Sequence, residues 1–289
     1  MVHLYEKVCK TENNKYGIQE VLEENPFKNG PCIITVLALP TFLQDINGFL
    51  NYIAPLVNPN INVNYDPDRR LFGLGFGEFD EKYQRFSSII PETKELEEFL
   101  NKYFYPLFIN NNKKIDTISA MKNFRNINFV TYCNGAYYFK RIEELLKLKM
   151  QEVGYTKSDI NMILSQICLA AISGETIKKD GTQALAITFG DVFDYDYEQD
   201  NKTIESIKII KQGFIDYDSS LGFAIAGDGG HSVRKHIIDN DILSSRINIF
   251  LNTSIDNAIE NKYNDTINPI TYEKIEKAFN NPHKKVKSL

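Results

Sequence analysis

Apolar runs and helical patterns alternate along the first half of this chain. The run from Cys32 to Leu39 and the run over residues 71–79 each predict a strand that is buried on both faces. Residues 46–57 and 92–108 carry apolar positions at helical spacing, so a helix is predicted after each strand. Such alternation indicates an α/β protein with a mostly parallel central sheet between two helical layers, a three-layer α/β/α architecture.

The other segments are assigned on the same grounds. Residues 1–30 are polar and mixed, which predicts a helix or an arm. A helix is preferred over 160–173, because the link that follows it is short for a helical crossover, and a strand at 167–172 is the alternative. Two further strands are predicted at 184–190 and 221–227, and the segment 204–212 fits either a strand or a helix. The whole chain, 1–289, is predicted to be one domain. Its core covers about 30–240, and helices and a tail follow over 241–289.

One stretch combines these patterns with a candidate nucleophile. Phe129 to Tyr132 are β-branched or aromatic and predict a buried strand, and a helix is predicted from Gly135, with Tyr138 and Ile142 on its apolar face. Cys133 lies on the turn between strand and helix, with small residues two positions before and two positions after it. A helix N-terminus offers free N–H groups and a positive dipole end, which favour a thiolate and a developing oxyanion. The pattern therefore predicts a cysteine-dependent enzyme.

Composition and charge narrow the function. The chain has 289 residues, 43% of them hydrophobic, and a net charge of −5, which favours a globular protein without a nucleic-acid partner. Four cysteines without a CxxC pair predict no zinc site and a reducing compartment. The charged first residues predict no signal peptide, and no apolar run is long enough to cross a bilayer, so a cytoplasmic protein without an integral membrane segment is expected.

A thiolate nucleophile needs a base, and a triad also needs an acid. Among four histidines, His231 is the preferred base because it follows a predicted strand and two glycines. Asp216 and Asp218 are the preferred acids, because their segment resembles the loop at the end of a strand. If residues 203–214 are instead a helix, the acid is Asp194, and Asp191 is the remaining candidate.

The order nucleophile, acid, histidine along this chain resembles the α/β-hydrolase superfamily. The resemblance rests on Thr131-Tyr-Cys133-Asn-Gly135-Ala, Thr188-Phe-Gly190, the loop with Asp216 and Asp218, and Gly229-Gly-His231. The cysteine at the turn is similar to that of dienelactone hydrolases and polyhydroxyalkanoate synthases, and the short distance along the chain from the acid loop to His231 is similar to cutinases. Thr131 stands where that superfamily usually has glycine.

The resemblance implies a reaction and its remaining groups. The reaction is acyl transfer from an ester or thioester through a thioester intermediate, on a small-molecule or acyl substrate. The oxyanion hole would consist of the backbone N–H of Asn134 and that of Thr41 or Phe42. Neither a metal nor an organic cofactor is required, and the oligomeric state is left open.

Three other interpretations remain. Asp218-Ser-Ser220-Leu-Gly222 has some features of a serine nucleophile turn. The acidic residues from Asp194 to Asp200, with Glu205, have part of the spacing of a calcium loop. The third is a protein of α/β-hydrolase fold that binds a partner without catalysis, for instance as a secreted effector, in which Cys133 is a packing thiol.

Overall fold

The computed structural model describes most of the first 172 residues and several short pieces beyond them. The described residues are 1–8, 17–28, 30–37, 42–57, 70–88, 91–109, 115–133, 135–172, 183–188, 215–216, 222–226, 247–248 and 251–252. Residues 194–200, 218–221 and 253–289 lie outside them, so neither the serine nor the calcium alternative is described, and the prediction of a single domain stays a prediction.

The described elements follow one another as strands and helices. The strands are β1 (Val2–Lys7), β2 (Ile18–Glu20), β3 (Cys32–Val36), β4 (Arg70–Asp80), β5 (Arg85–Ser88), β6 (Ile127–Tyr132), β7 (Cys168–Ile172), β8 (Gln183–Thr188), β9 (Ile215–Asp216) and β10 (Gly222–Ala226). The α-helices are α1 (Leu43–Val57), α2 (Thr93–Tyr103), α3 (Tyr105–Phe108), α4 (Thr117–Phe124), α5 (Gly135–Glu152) and α6 (Lys157–Leu164), and a 3-10 turn covers Pro26–Lys28.

The ten described strands form one sheet in the order β2-β1-β4-β3-β6-β7-β8-β10-β9, with β5 paired to β4. Six neighbouring strands in the middle of this order pair in parallel, namely β4, β3, β6, β7, β8 and β10. The pairings of β1 with β2 and β4, of β5 with β4 and of β9 with β10 are antiparallel. The α/β class is confirmed, but the sheet is mixed, so the prediction of a mostly parallel sheet is wrong.

The amino-terminal strand is the main reason for this error. Glu6 and Lys7 in β1 are almost fully buried, although their charges suggested a surface segment. The guanidinium of Arg70 on the neighbouring strand donates to both carboxylate oxygens of Glu6 at 2.7 Å, and the Lys7 ammonium donates to Asn47 at 3.3 Å. Because Arg70 compensates the charge of Glu6 and Asn47 accepts a hydrogen bond from Lys7, a charged sequence can form an inner strand of the sheet.

Two other predicted elements differ from those observed. The helix predicted over 92–108 is interrupted at Phe104, beside Pro106, which has no N–H for a continuous helical ladder. The helix preferred over 160–173 ends at Leu164, and the alternative strand is observed as β7. β7 pairs in parallel with β8 even though only residues 173–182 connect them.

Helices pack on both faces of the sheet. One core cluster contains Ile34 and Phe129 together with residues of α2 to α6. The other contains the alternate strand positions Ile33 and Val130 together with residues of α1 and Ile247. The helix that follows β3 and the helix that follows β6 therefore cover opposite faces. Within the described part, no helix combines the length and the apolar character that crossing a bilayer requires.

Candidate active site

The chain turns sharply at Cys133. The Cys133 N–H donates to the carbonyl of Ile172 at 3.0 Å and so extends the ladder between β6 and β7 by one bond. The Cys133 backbone has φ of +53°, a left-handed value that is uncommon for a residue with a side chain. Its carbonyl accepts from the Ala136 N–H at 3.2 Å, already inside α5. The strand therefore becomes a helix within two residues, and this strained backbone presents the cysteine at the bend.

Gly135 allows this tight turn because α5 begins in contact with the end of β3. A β-carbon at position 135 would overlap the carbonyl oxygen of Val36 and lie 2.8 Å from its carbonyl carbon. Both obstacles are backbone atoms, so no side-chain rotation would relieve the clash. The small residue that stands two positions after Cys133 in the sequence is therefore required by the close approach of the two backbones.

The turn lies at a switch point of the sheet. β3 and β6 are neighbours, but the strand that follows β3 along the chain is β4 on one side, and the strand that follows β6 is β7 on the other. The connecting helices α1 and α5 accordingly leave toward opposite faces. Ligands of open α/β sheets bind in the crevice that this arrangement creates beyond the carboxyl ends of the strands. Cys133 follows the carboxyl end of β6 directly and so lies at the position where such proteins bind ligands.

Cys133 is also the most accessible of the described cysteines. It is half-buried, whereas Cys32 and Cys168 are buried at 1% and 0% exposure. Burial raises the pKa of the Cys32 thiol far above its usual range, which keeps that thiol protonated. Cys32 and Cys168 are therefore core thiols, while Cys9 lies outside the described residues.

The charge of the candidate nucleophile affects the pKa of a buried tyrosine. Tyr138, on the first turn of α5, is 4% exposed, and its ring packs edge-on against Phe76 at 5.4 Å. Burial raises the pKa of Tyr138, and negative charge on Cys133 raises it further. Helical spacing alone assigns Tyr138 to the buried face of α5, and it does not show how close that face lies to Cys133.

One of the candidate oxyanion donors is already occupied. The Phe42 N–H, at the start of α1, donates to the Asp45 carboxylate at 2.8 Å. Phe42 is therefore a poor candidate for the second donor. Asn134 and Thr41, the other two candidates, lie outside the described residues.

The backbone places Asp216 away from the candidate nucleophile. Asp216 pairs with Phe223 in antiparallel β9, at the edge of the sheet beyond β10. Its partner Phe223 is three residues before Ala226, the carboxyl end of β10. In the sheet, β9 is four strand positions from β6. With ~3.3 Å per residue and ~4.8 Å per strand, Asp216 is about 20 Å from the end of β6.

The structure describes only one of the remaining candidate residues and histidines, His3. His231 and Asp218 lie outside the described residues, as do Asp191 and Asp194. His3 is in β1, where its two ring nitrogens are 2.9 Å from Glu20 and 3.0 Å from the Gly77 carbonyl oxygen. This pairing gives His3 a structural role between β1, β2 and β4.

Comparison with known proteins adds no relative. No family model matches the sequence, and no curated protein is significantly similar to it. Within the described residues, no group of three or more histidine, cysteine or acidic side chains is arranged to hold a metal ion. The function must therefore be argued from the geometry around Cys133.

Proposed function

We propose that this chain is an α/β-hydrolase-like enzyme that cleaves or transfers the acyl group of an ester or thioester through Cys133. The observation that carries the proposal is the left-handed backbone of Cys133 on a strand-to-helix turn, at the switch point of the sheet. This turn is similar to the nucleophile elbow, in which a strained bend exposes the reacting side chain above the strand ends. A cysteine that served only for packing would not require a strained backbone at a crevice.

The proposed reaction proceeds in two steps. The Cys133 thiolate attacks the acyl carbon, a carbon–sulfur bond forms, and the alcohol or thiol leaves with a proton from the His231 imidazolium. Water or another acceptor then attacks the thioester while His231 takes its proton, which releases the acid or new ester and restores the thiolate. The N–H groups of Asn134 and Thr41 would stabilise the oxyanion in both steps.

The chain length permits His231 to reach Cys133. β10 is parallel to β6, so both strands end at the same edge of the sheet, three strand positions or about 14 Å apart. His231 follows the end of β10 by five residues, and five extended residues span about 16 Å. The interval is therefore within reach without any change of the sheet.

The same argument moves the acid to the loop after β8. This strand lies next to β10 and also ends at the edge that holds Cys133. Asp191 and Asp194 follow its last residue, Thr188, by three and six positions. An acid there would lie beside the histidine loop, whereas Asp216 is in a strand that runs toward the opposite edge.

Substitution of the aspartates is expected to separate these candidates. Asp216→Asn should leave turnover within about twofold of wild type, because its position is remote from the reaction. Either Asp191→Asn or Asp194→Asn should lower kcat/KM by at least about tenfold, because the imidazole loses the charge that orients it. A loss of activity in Asp216→Asn alone would contradict this assignment and restore Asp216 as the acid.

A panel of aryl esters and acyl thioesters tests the reaction class. Wild-type protein should turn over at least one of them, and rapid quenching should give a peptide containing Cys133 with the mass of the added acyl group. Cys133→Ala is the control for nonspecific hydrolysis. Absence of both turnover and adduct across the panel would sink the enzymatic proposal in favour of a binding protein.

A further inference from the structure

The side chain of Thr131 is a buried hydroxyl without a hydrogen-bond partner. It lies two residues before Cys133 and is 0% exposed, and its Oγ1 has no partner among the described residues. Its neighbours in the adjacent strands are Val36 and Ala171, both buried and apolar. Strand alternation places Thr131 on the face of Phe129, which α5 covers.

Such a hydroxyl needs an explanation. A buried polar group without a partner destabilises a fold, and valine would fill almost the same volume among these neighbours without that penalty. Unpaired buried groups in native proteins mark strain, catalysis or bound water. Packing alone would therefore favour valine, and the hydroxyl points to a role at the adjacent Cys133.

We propose that Thr131 is a positioning residue whose hydroxyl donates a hydrogen bond, through one enclosed water, toward the thiolate of Cys133. Two residues along a strand have α-carbons about 6.6 Å apart, a separation that suits one bridging water better than a direct bond. A water held in this way would stabilise the ionised form of the thiol relative to the protonated form. The hydrogen bond to the thiolate does not depend on the proposed function, but its use in catalysis does.

The pH dependence of Cys133 alkylation tests this inference without any substrate. Iodoacetamide labelling is followed by peptide mass spectrometry in wild type, Thr131→Ser, Thr131→Val and Thr131→Ala. Without the hydroxyl, the apparent pKa of the Cys133 thiol should rise by about one unit, so labelling at pH 7 should slow by about tenfold. Thr131→Ser keeps the hydroxyl, and its labelling rate should stay within about twofold of wild type.

A stability measurement separates the proposed role of the Thr131 hydroxyl from a purely structural one. Urea unfolding should show Thr131→Val to be about as stable as wild type, because the added methyl group fills the place of a hydroxyl that makes no hydrogen bond to the described residues. If Thr131→Val destabilises the fold, Thr131→Ala supplies the same test without the added methyl group. Unchanged labelling profiles in both hydroxyl-free variants, or an equal shift in Thr131→Ser, would overturn the inference.

The two proposals fail separately. If the ester panel gives no turnover but the labelling profile shifts as expected, only the proposed reaction is lost. If turnover occurs through Cys133 and the profile of Thr131→Val equals that of wild type, only the role of Thr131 is lost.

Discussion

Gly135→Ala is expected to cost about 3 kcal/mol or more of unfolding free energy, or to prevent folding. The added β-carbon would overlap the backbone carbonyl of Val36, and neither backbone can move without separating α5 from β3. Alanine is the better helix former, so the helical propensity of position 135 opposes the expected loss. The measured loss would therefore be a lower bound on the free-energy cost of the steric clash.

Gly48→Ala is the matched control. Gly48 lies inside α1, and outside its own helical turn no atom of the described residues is within 4 Å of the position that a β-carbon would take. Alanine there should stabilise the protein by about 0.5 kcal/mol, since glycine is a poor residue in a helix interior. Urea unfolding followed by circular dichroism compares the two variants. A Gly135→Ala variant as stable as wild type would mean that α5 does not begin against β3, and the proposed turn would then lose its structural basis.

Cys133→Ala is expected to lower kcat by at least about 10³-fold on any ester or thioester that wild type hydrolyses. The alanine variant lacks the atom that forms the thioester, and the remaining groups can only bind and polarise the substrate. Stability should change by less than about 0.5 kcal/mol, because the half-buried sulfur fills no closed core.

Cys168→Ala serves as the control for loss of a thiol. Cys168 is fully buried at the amino end of β7, so its removal should destabilise the fold and leave kcat nearly unchanged. Initial rates and urea unfolding on the same preparations separate the two effects. Full activity in Cys133→Ala would place the nucleophile elsewhere, with Ser220 as the next candidate.

Local patterns predicted the site better than they predicted the sheet around it. The buried residues of β6, the small residue at position 135 and the apolar face of α5 all follow from neighbouring residues, and the structure confirms them. Strand direction does not follow in this way, because the direction of β1 and β9 is set by pairing with a neighbouring strand and not by the residues of the segment alone. Asp216, one of the two preferred acids, lies on a strand that runs antiparallel to β10, and the assignment of the acid stays a prediction.

Charge was the second source of error. Glu6 and Lys7 look like surface residues in the sequence, and only the pairing of β1 with β4 brings Arg70 close enough to compensate Glu6. A partner 64 residues away in the chain cannot be identified from local periodicity. The hydroxyl of Thr131 was missed for a related reason, since lack of a partner is a property of the packed structure.

Catalysis by Cys133 requires a reactive thiol, and the rate at which Cys133 is alkylated measures that reactivity directly. The folded chain is treated with iodoacetamide at pH 7, and each cysteine peptide is quantified over time beside the same chain unfolded in urea. Cys133 is expected to react faster in the folded chain than in the unfolded chain, faster than Cys9, Cys32 and Cys168, and more slowly after His231→Ala. A Cys133 that reacts only once the chain is unfolded would contradict a catalytic role for this thiol.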